Sequence, residues 1–544
     1  MKTTVKTNAK TTAKTNARTT RTRRGAVLAA LMAGVLVLSA CGGAAGSGDK
    51  VYVYAVNGDP MTVGLNAQFV GGTYPILFSA QLMDTLIFMS DDYKLSPGLA
   101  KEWEVSPDGL ELTLRLREGV KWHDGKPFTA EDVKFNFEEI IPLQTYGAML
   151  AKRIKSVEIT DPSTVVVRLK QPFGPLLETV SQQFMLPKHI YEGTDYVTNE
   201  ANKKPIGTGP MKFGSYTPGQ EVVLVKNPDY WGEKSQVDRA VYTVMADPNS
   251  RAEALFAGEI DGGVIDPSQQ GRVSADRNTR LLEHGMFPQV VTTMFNSQSR
   301  YLKDPAVRAA LFAAYDRAAI AKTAMSGIGK PATGFVPPEF GWAANPDVNF
   351  DKKFPRDIAA INKALDEAGF KRGPDGTRFT LKILYIFTLT EVAATVQMVQ
   401  SMLKEVGIAT RLESAGGAVY SEKVYAKGDF DLAFVRTTIG PDPSLGIANW
   451  YQCNKQRKPG SNPTGVCDPE IEAAAAAALD TNDRTKRAEA LKRLQARAEK
   501  LMFYAPIAWF NGGFPTINTA RWQGQDAPRV MAERVPWSKM TPAQ

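Results

Sequence analysis

Residues 99–138 read LAKEWEVSPDGLELTLRLREGVKWHDGKPFTAEDVKFNFE. Asp108-Gly109 is a turn signal between two strands. Leu110, Leu112, Leu114 and Leu116 alternate with Glu111, Thr113, Arg115 and Arg117, the period-two pattern of a half-buried strand. His123-Asp-Gly-Lys126 is a second turn. Thr129 stands three residues before Asp132, so a hydroxyl at the N-cap faces a carboxylate at N3 and a helix starts there. Val133, Phe135 and Phe137 follow in that helix.

Outward from this stretch the chain alternates strands with helices. Upstream, Val51–Val56 is apolar and reads as a buried strand, and Ile76–Leu86 reads as a short helix. Downstream, Ser250–Ala257 is a helix with Gly258 at its C′ position. Pro305–Met325 is helical, with Val307, Leu311, Ala314 and Ala318 on one face. Thr380–Phe387 is a strand, Thr390–Val406 a helix stopped by Gly407, and Ile408–Leu412 and Asp431–Val435 are strands. Strand, helix and strand with short links is a βαβ pattern, hence a parallel sheet and an α/β class. Pro469–Leu479 and Asp483–Met502 are helices, the first around an alanine run.

The N-terminus carries a separate signal. Arg21, Arg23 and Arg24 precede Ala26–Ala40, fifteen residues without charge, which end in Leu38-Ser39-Ala40-Cys41. These are the parts of an export signal, and the run is shorter than the roughly 20 apolar residues that span a bilayer. Residues 1–40 read as a cleaved leader and 41–50 as a tether. Leu-Ser-Ala-Cys looks like a bacterial lipobox, in which Cys41 receives a diacylglyceryl group; the alternative is an ordinary secretory signal that ends in Cys.

The leader also decides the charge balance. The chain has 65 basic and 57 acidic residues, a net charge of +8. All eight excess cations lie between Lys2 and Arg24, where there is no acid, so the remainder is neutral. The high isoelectric point is therefore a leader property and gives no argument for nucleic acid, which needs a basic surface facing phosphates. About 500 residues remain, more than one hydrophobic core usually supports, so two or three domains are expected. With Cys41 lipidated, Cys453 and Cys467 form an even pair in an oxidising compartment. A bridge between them closes a loop for which chain entropy estimates ~3 kcal/mol. Two free thiols are the alternative.

Catalytic patterns are absent. There is no Gly-x-Ser-x-Gly, His-Glu-x-x-His, Cys-x-x-Cys or phosphate loop, and Gly207-Thr-Gly209 lacks the third glycine of a dinucleotide fingerprint. Of the three histidines, His123 reads as a structural turn residue, and His189 and His284 have no partners at metal-ligand spacing. No enzyme activity, cofactor or metal is expected.

Residues 99–138 closely resemble the signature of the family 5 extracellular solute-binding proteins of ABC importers, the dipeptide, oligopeptide and nickel-binding group. Further blocks resemble the same family in the same order: residues 205–210 (PIGTGP) with 222–225 and 227–231 (NPDYW), 250–261 (SRAEALFAGEID), 304–317 (DPAVRAALFAAYDR) and 359–370. The resemblance implies a two-lobed fold of the periplasmic-binding-protein type (type II, cluster C) that closes on a ligand. Lobe I is expected over 51–290, with an inserted subdomain at about 87–204, lobe II over 291–502, and a return to lobe I over 503–544. Crossing segments are expected near Phe287–Phe295 and Phe503–Phe510.

The resemblance also implies where the ligand sits. Gly71, Gly72, Thr73 and Tyr74 correspond to a loop that lines the cleft in family members. Phe434 to Pro443 corresponds to the second-lobe segment that meets the ligand. Dipeptide-binding members carry an acid three positions before the Asp-Pro pair, to hold the ligand's ammonium; here that position is Ile439. Arg436 stands where an aromatic is common, and points either to an acidic or hydroxyl-rich ligand group or to a surface strand. Asp442 is a turn residue or a ligand contact, and Trp450 an aromatic wall or core packing. The expected function is a lipid-anchored, monomeric capture protein on the outer face of a bacterial membrane, delivering a peptide to ABC permease subunits. Oligosaccharide or chelate binding, or peptide sensing without transport, are the alternatives.

Overall fold

The computed structural model describes residues 49–70, 72–282, 288–511 and 515–543. The leader, Cys41, the tether up to Gly48, Gly71, His284 and Phe287 lie outside the described residues.

Two large sheets organise the chain. The first has seven strands in the order 279–281, 515–518, 262–264, 51–56, 239–244, 221–226 and 211–217. Val51–Val56 lies near its centre, parallel to both neighbours. The second has six strands in the order 330–331, 504–511, 288–295, 432–438, 379–386 and 408–415. Here Phe379–Ile386 runs parallel to Ile408–Ala415 and to Leu432–Thr438, and the helix Thr390–Glu405 connects the first two. This is the βαβ unit expected from the sequence.

The stretch 99–138 builds a third, antiparallel sheet of four strands, ordered 100–105, 111–116, 164–169 and 154–161. Leu112, Leu114 and Leu116 are buried and Arg115 is exposed, as the alternation requires. Asp132 Oδ2 accepts the Thr129 amide at 2.9 Å and closes the capping box of the helix Ala130–Phe135. The turn at His123 docks on the loop 206–210. His123 N–H donates to Gly207 O, Gly207 N–H donates to Nδ1 and Nε2 lies 3.1 Å from Gly209 O. Burial pushes this imidazole down to about 4, so it is neutral and structural. The two glycines are needed for close approach: a Cβ on Gly207 would sit 2.1 Å from Leu82 O, and one on Gly209 2.6 Å from Leu82 C.

Three elements differ from the sequence reading. The early helix is Thr73–Leu82, three residues earlier in start, because the chain must turn at Met83 to bury Asp84 and pair Ile87–Met89. The long helix 305–325 is two, Pro305–Ala313 and Arg317–Ala324, since Asp316 caps the second through Ala319 N–H. The described parts of the expected crossing segments, Pro288–Phe295 and Tyr504–Asn511, are antiparallel partners inside the second sheet. They are apolar runs buried on both faces, which pair as strands. Cys453 and Cys467 are joined by a disulfide, with Cα atoms 4.5 Å apart.

Candidate ligand-binding cleft

Four segments distant in sequence meet around a cavity of about 460 Å3. The start of the helix Thr73–Leu82 contributes Gly72, Thr73 and Ile76. Residues 144–184 contribute Gln144, Tyr146, Ser181, Gln182 and Phe184. Gln289, Arg436, Thr437, Thr438 and Gly440 come from the second sheet and the loop after it, and Met531, Ala532 and Glu533 from the C-terminal return. This is the composition of a small-molecule site: mostly apolar walls with a few placed polar groups. A larger groove of about 1070 Å3 lies beside the disulfide, but it is more open and walled largely by charged and amide side chains.

Of the residues singled out in the sequence, Gly72, Thr73 and Arg436 meet in this cavity. Arg436 extends from the strand Leu432–Thr438, and its Nη1 lies 3.1 Å from Glu391 Oε1. Glu391 is almost fully buried in the first turn of the helix Thr390–Glu405, so the guanidinium is held by a fixed counter-charge. Tyr74, next to Thr73, donates its hydroxyl to Asn57 and does not line the cavity. Phe434 and Ile439 are fully buried in the core: Phe434 shares its strand face with Arg436 but lies in the buried first half of the strand Leu432–Thr438, and Ile439 follows the strand's end. Trp450 stacks on Tyr504 at a centroid distance of 5.5 Å and belongs to the same core.

Asp442 has a structural task near the mouth of the cleft. It caps the helix Pro443–Tyr451 through Ser444 N–H and pairs with Arg487 at 2.5 Å. Arg487 also donates to Ser444 Oγ and to Gly174 O, which lies before the helix Leu176–Val180. Gly174 N–H donates to Leu479 O at 2.7 Å, and Gln171 and Arg153 reach Asp480. The residues around the small antiparallel sheet thus clasp the helices of the second half. Glu178 is buried in the same clasp. Burial, then the charge of Asp442, pushes its carboxyl up to about 7, with Arg487 opposing.

Glu533 was not foreseen from the sequence, and neither were Tyr146, Gln182 and Met531; no local motif marks them. Burial, with Asp91 adding to it, pushes the Glu533 carboxyl up to about 8, while Arg529 opposes. Burial likewise pushes the Tyr146 phenol up to about 12.

An α/β protein in which segments distant in sequence converge on a cavity walled mostly by apolar groups, with a few placed polar ones, has the form of a solute-capture protein. A profile of bacterial extracellular solute-binding proteins, family 5, matches residues 94–458. A Brucella ovis protein named for peptide binding in an ABC transporter is 35% identical over 403 residues, covering 72% of this chain and 74% of that protein. The Helicobacter pylori periplasmic binding protein DppA, solved with the peptide STSA, superposes with a TM-score of 0.75 at 22% identity, covering 91% of this chain and 98% of that one. NikZ of Campylobacter jejuni, solved with Ni(L-His), gives a TM-score of 0.77 at 23% identity over 91% and 99%. The chain belongs to the family 5 extracellular solute-binding proteins. It is a binding component of the ABC importer type that works outside the cytoplasm, and it is not an enzyme. Among the described residues no helix is long and apolar enough to cross a membrane, and no group of metal-ligating side chains is gathered.

Proposed function

We propose that this chain captures short peptides in the 460 Å3 cleft and hands them to a membrane permease, held at the outer membrane face by a lipid on Cys41. The observation that carries the peptide reading is the lining itself. Apolar groups such as Ile76, Met89, Phe184 and Met531 alternate with amides and hydroxyls from Gln144, Gln182, Gln289, Thr437 and Thr438. Peptides present the same mixture, with side chains to bury and a backbone to hydrogen-bond. The peptide-named Brucella relative supports the same choice. Capture needs the lobes to open and shut on the ligand, a hinge motion.

Two experiments test this reading. Native mass spectrometry of the protein as purified should show retained short peptides, and an added excess should raise the melting temperature. At a hundredfold excess over Kd the gain is about 2.7 kcal/mol. Stabilisation by oligosaccharides with none by a broad peptide panel would overturn the peptide assignment. Separately, Cys41→Ser should move the protein from the membrane fraction to the medium, and full membrane retention of that variant would overturn the lipid anchor.

A further inference from the structure

Among the described residues lining the cleft cavity, Glu533 is the one acid and Arg436 the one base. Their charges are not equally met. Arg436 is paired with the buried Glu391. The Glu533 carboxylate makes no hydrogen bond or ion pair with any described residue. The charged groups facing it from neighbouring elements are Arg529 and Asp91, which act in opposite directions, together with the buried phenol of Tyr54; Arg436 and Tyr146 lie across the cavity. Arg529 forms no ion pair with it among the described residues, and Arg534 points away to Asp84.

The backbone holds Glu533 in place deliberately. Its φ is 66°, the left-handed region that side-chain-bearing residues rarely adopt. The conformation is fixed from both sides: Gln81 Nε2 donates to Glu533 O at 2.8 Å, and Val535 N–H donates to Gln81 Oε1 at 3.0 Å. Arg534, between them, is locked into a buried network. A strained residue that its surroundings over-determine, carrying an unpaired carboxylate into a ligand cavity, is costly to keep unless something fills it.

We propose that Glu533 anchors a protonated amine of the captured ligand, in the first instance the α-ammonium of a peptide. This rests on the peptide-capture reading above. Burial keeps the carboxyl protonated at neutral pH, with its pKa pushed up to about 8. Binding an ammonium then expels that proton: the carboxylic acid and the ammonium go to a carboxylate–ammonium pair plus one proton released to solvent. Affinity for amine-bearing ligands should therefore increase with pH, about tenfold per unit, up to about pH 8, and fall again above it, where the peptide's own α-amino group, with a pKa of about 7.7–8.0, loses its proton. A ligand without a cation needs no such release.

The test uses the full chain and two peptide mixtures. Both hold tri- and tetrapeptides free of Lys and Arg, one with free and one with acetylated N-termini. Native mass spectrometry should show retention of the free-amine mixture alone. Calorimetry with the best retained peptide at pH 6.5, in two buffers of different ionisation enthalpy, should show about one proton released. Glu533→Gln should weaken that peptide about tenfold or more near pH 8, where the carboxylate–ammonium pair is best populated, and abolish the proton release seen at pH 6.5. Equal retention of both mixtures, or absence of proton release, overturns the anchor while leaving peptide capture intact. Retention of neither mixture overturns peptide capture and the anchor together. The acetylation and buffer comparisons use the unmodified protein, so they decide the matter even where the Gln variant does not fold.

Discussion

Arg534→Met is expected to lower the unfolding free energy by about 3–5 kcal/mol, measured by urea denaturation at pH 7. Arg534 is 4% exposed and Asp84, its partner at 2.7 Å, is 0% exposed. The guanidinium also donates to Ala80 O, Met83 O and the Tyr230 hydroxyl. Asp84 accepts in addition from Thr208 Oγ1 and Trp231 Nε1. Methionine fills much of the same volume, so packing survives, but three carbonyl and carboxylate acceptors lose their donor and Asp84 is left charged in the interior. Leaving one buried charge uncompensated costs far more than the pair itself contributes. Removing both charges with Arg534→Met and Asp84→Leu should therefore recover part of the loss. A loss below about 1 kcal/mol for Arg534→Met alone would show that the network is dispensable. The same variant frees the segment that positions Glu533, so the ligand site should weaken along with the fold.

That coupling marks the limit of what could be read from sequence. The antiparallel sheet was legible because Leu112, Leu114 and Leu116 alternate with polar residues and Thr129 announces the helix that follows. The βαβ unit at 379–415 was legible because its strands and helix are local and end in Gly407. Both signals lie within a few residues of what they form. The cleft is different, because it is assembled from residues near 72, 144–184, 289, 436–440 and 531–533. Arg436, Gly72 and Thr73 could be placed by resemblance. Phe434 and Ile439 occupy the same segment but are buried in the core, and only the tertiary packing, which covers the first half of the strand and leaves its second half half-exposed, tells them from Arg436. Glu533 carries no pattern at all. Its exposure to the cavity follows from a backbone conformation that Gln81, some 450 residues earlier in sequence, helps to fix. A half-buried, unpaired acid of this kind depends on tertiary structure entirely.

Gly174→Val should weaken ligand binding about a hundredfold while leaving the ligand-free protein folded. Gly174 lies where the segment before the helix Leu176–Val180 meets the helices of the second half. A Cβ there would stand 2.5 Å from Thr481 O and 2.8 Å from Arg487 Cδ and Nε. The first of these neighbours is backbone and cannot swing aside. The second holds Asp442 and Ser444, so displacing it would also break the cap of the helix Pro443–Tyr451. The relief available to the molecule is to part the segment around Gly174 from the helices Pro469–Leu479 and Arg484–Leu501, which also removes the Gly174 N–H to Leu479 O bond of 2.7 Å. If binding requires the closed form, a substitution that raises its free energy by about 2.7 kcal/mol lowers the apparent affinity a hundredfold, because the competent state is populated that much less. Calorimetry with a retained peptide gives the affinity, and small-angle scattering shows whether adding it still compacts the protein. Gly271→Ala is the matched control, since a methyl added there meets open space. Undiminished affinity and normal compaction in Gly174→Val would mean that the clasp around Arg487 is not part of closure, and that the cleft binds its ligand with the mouth ajar.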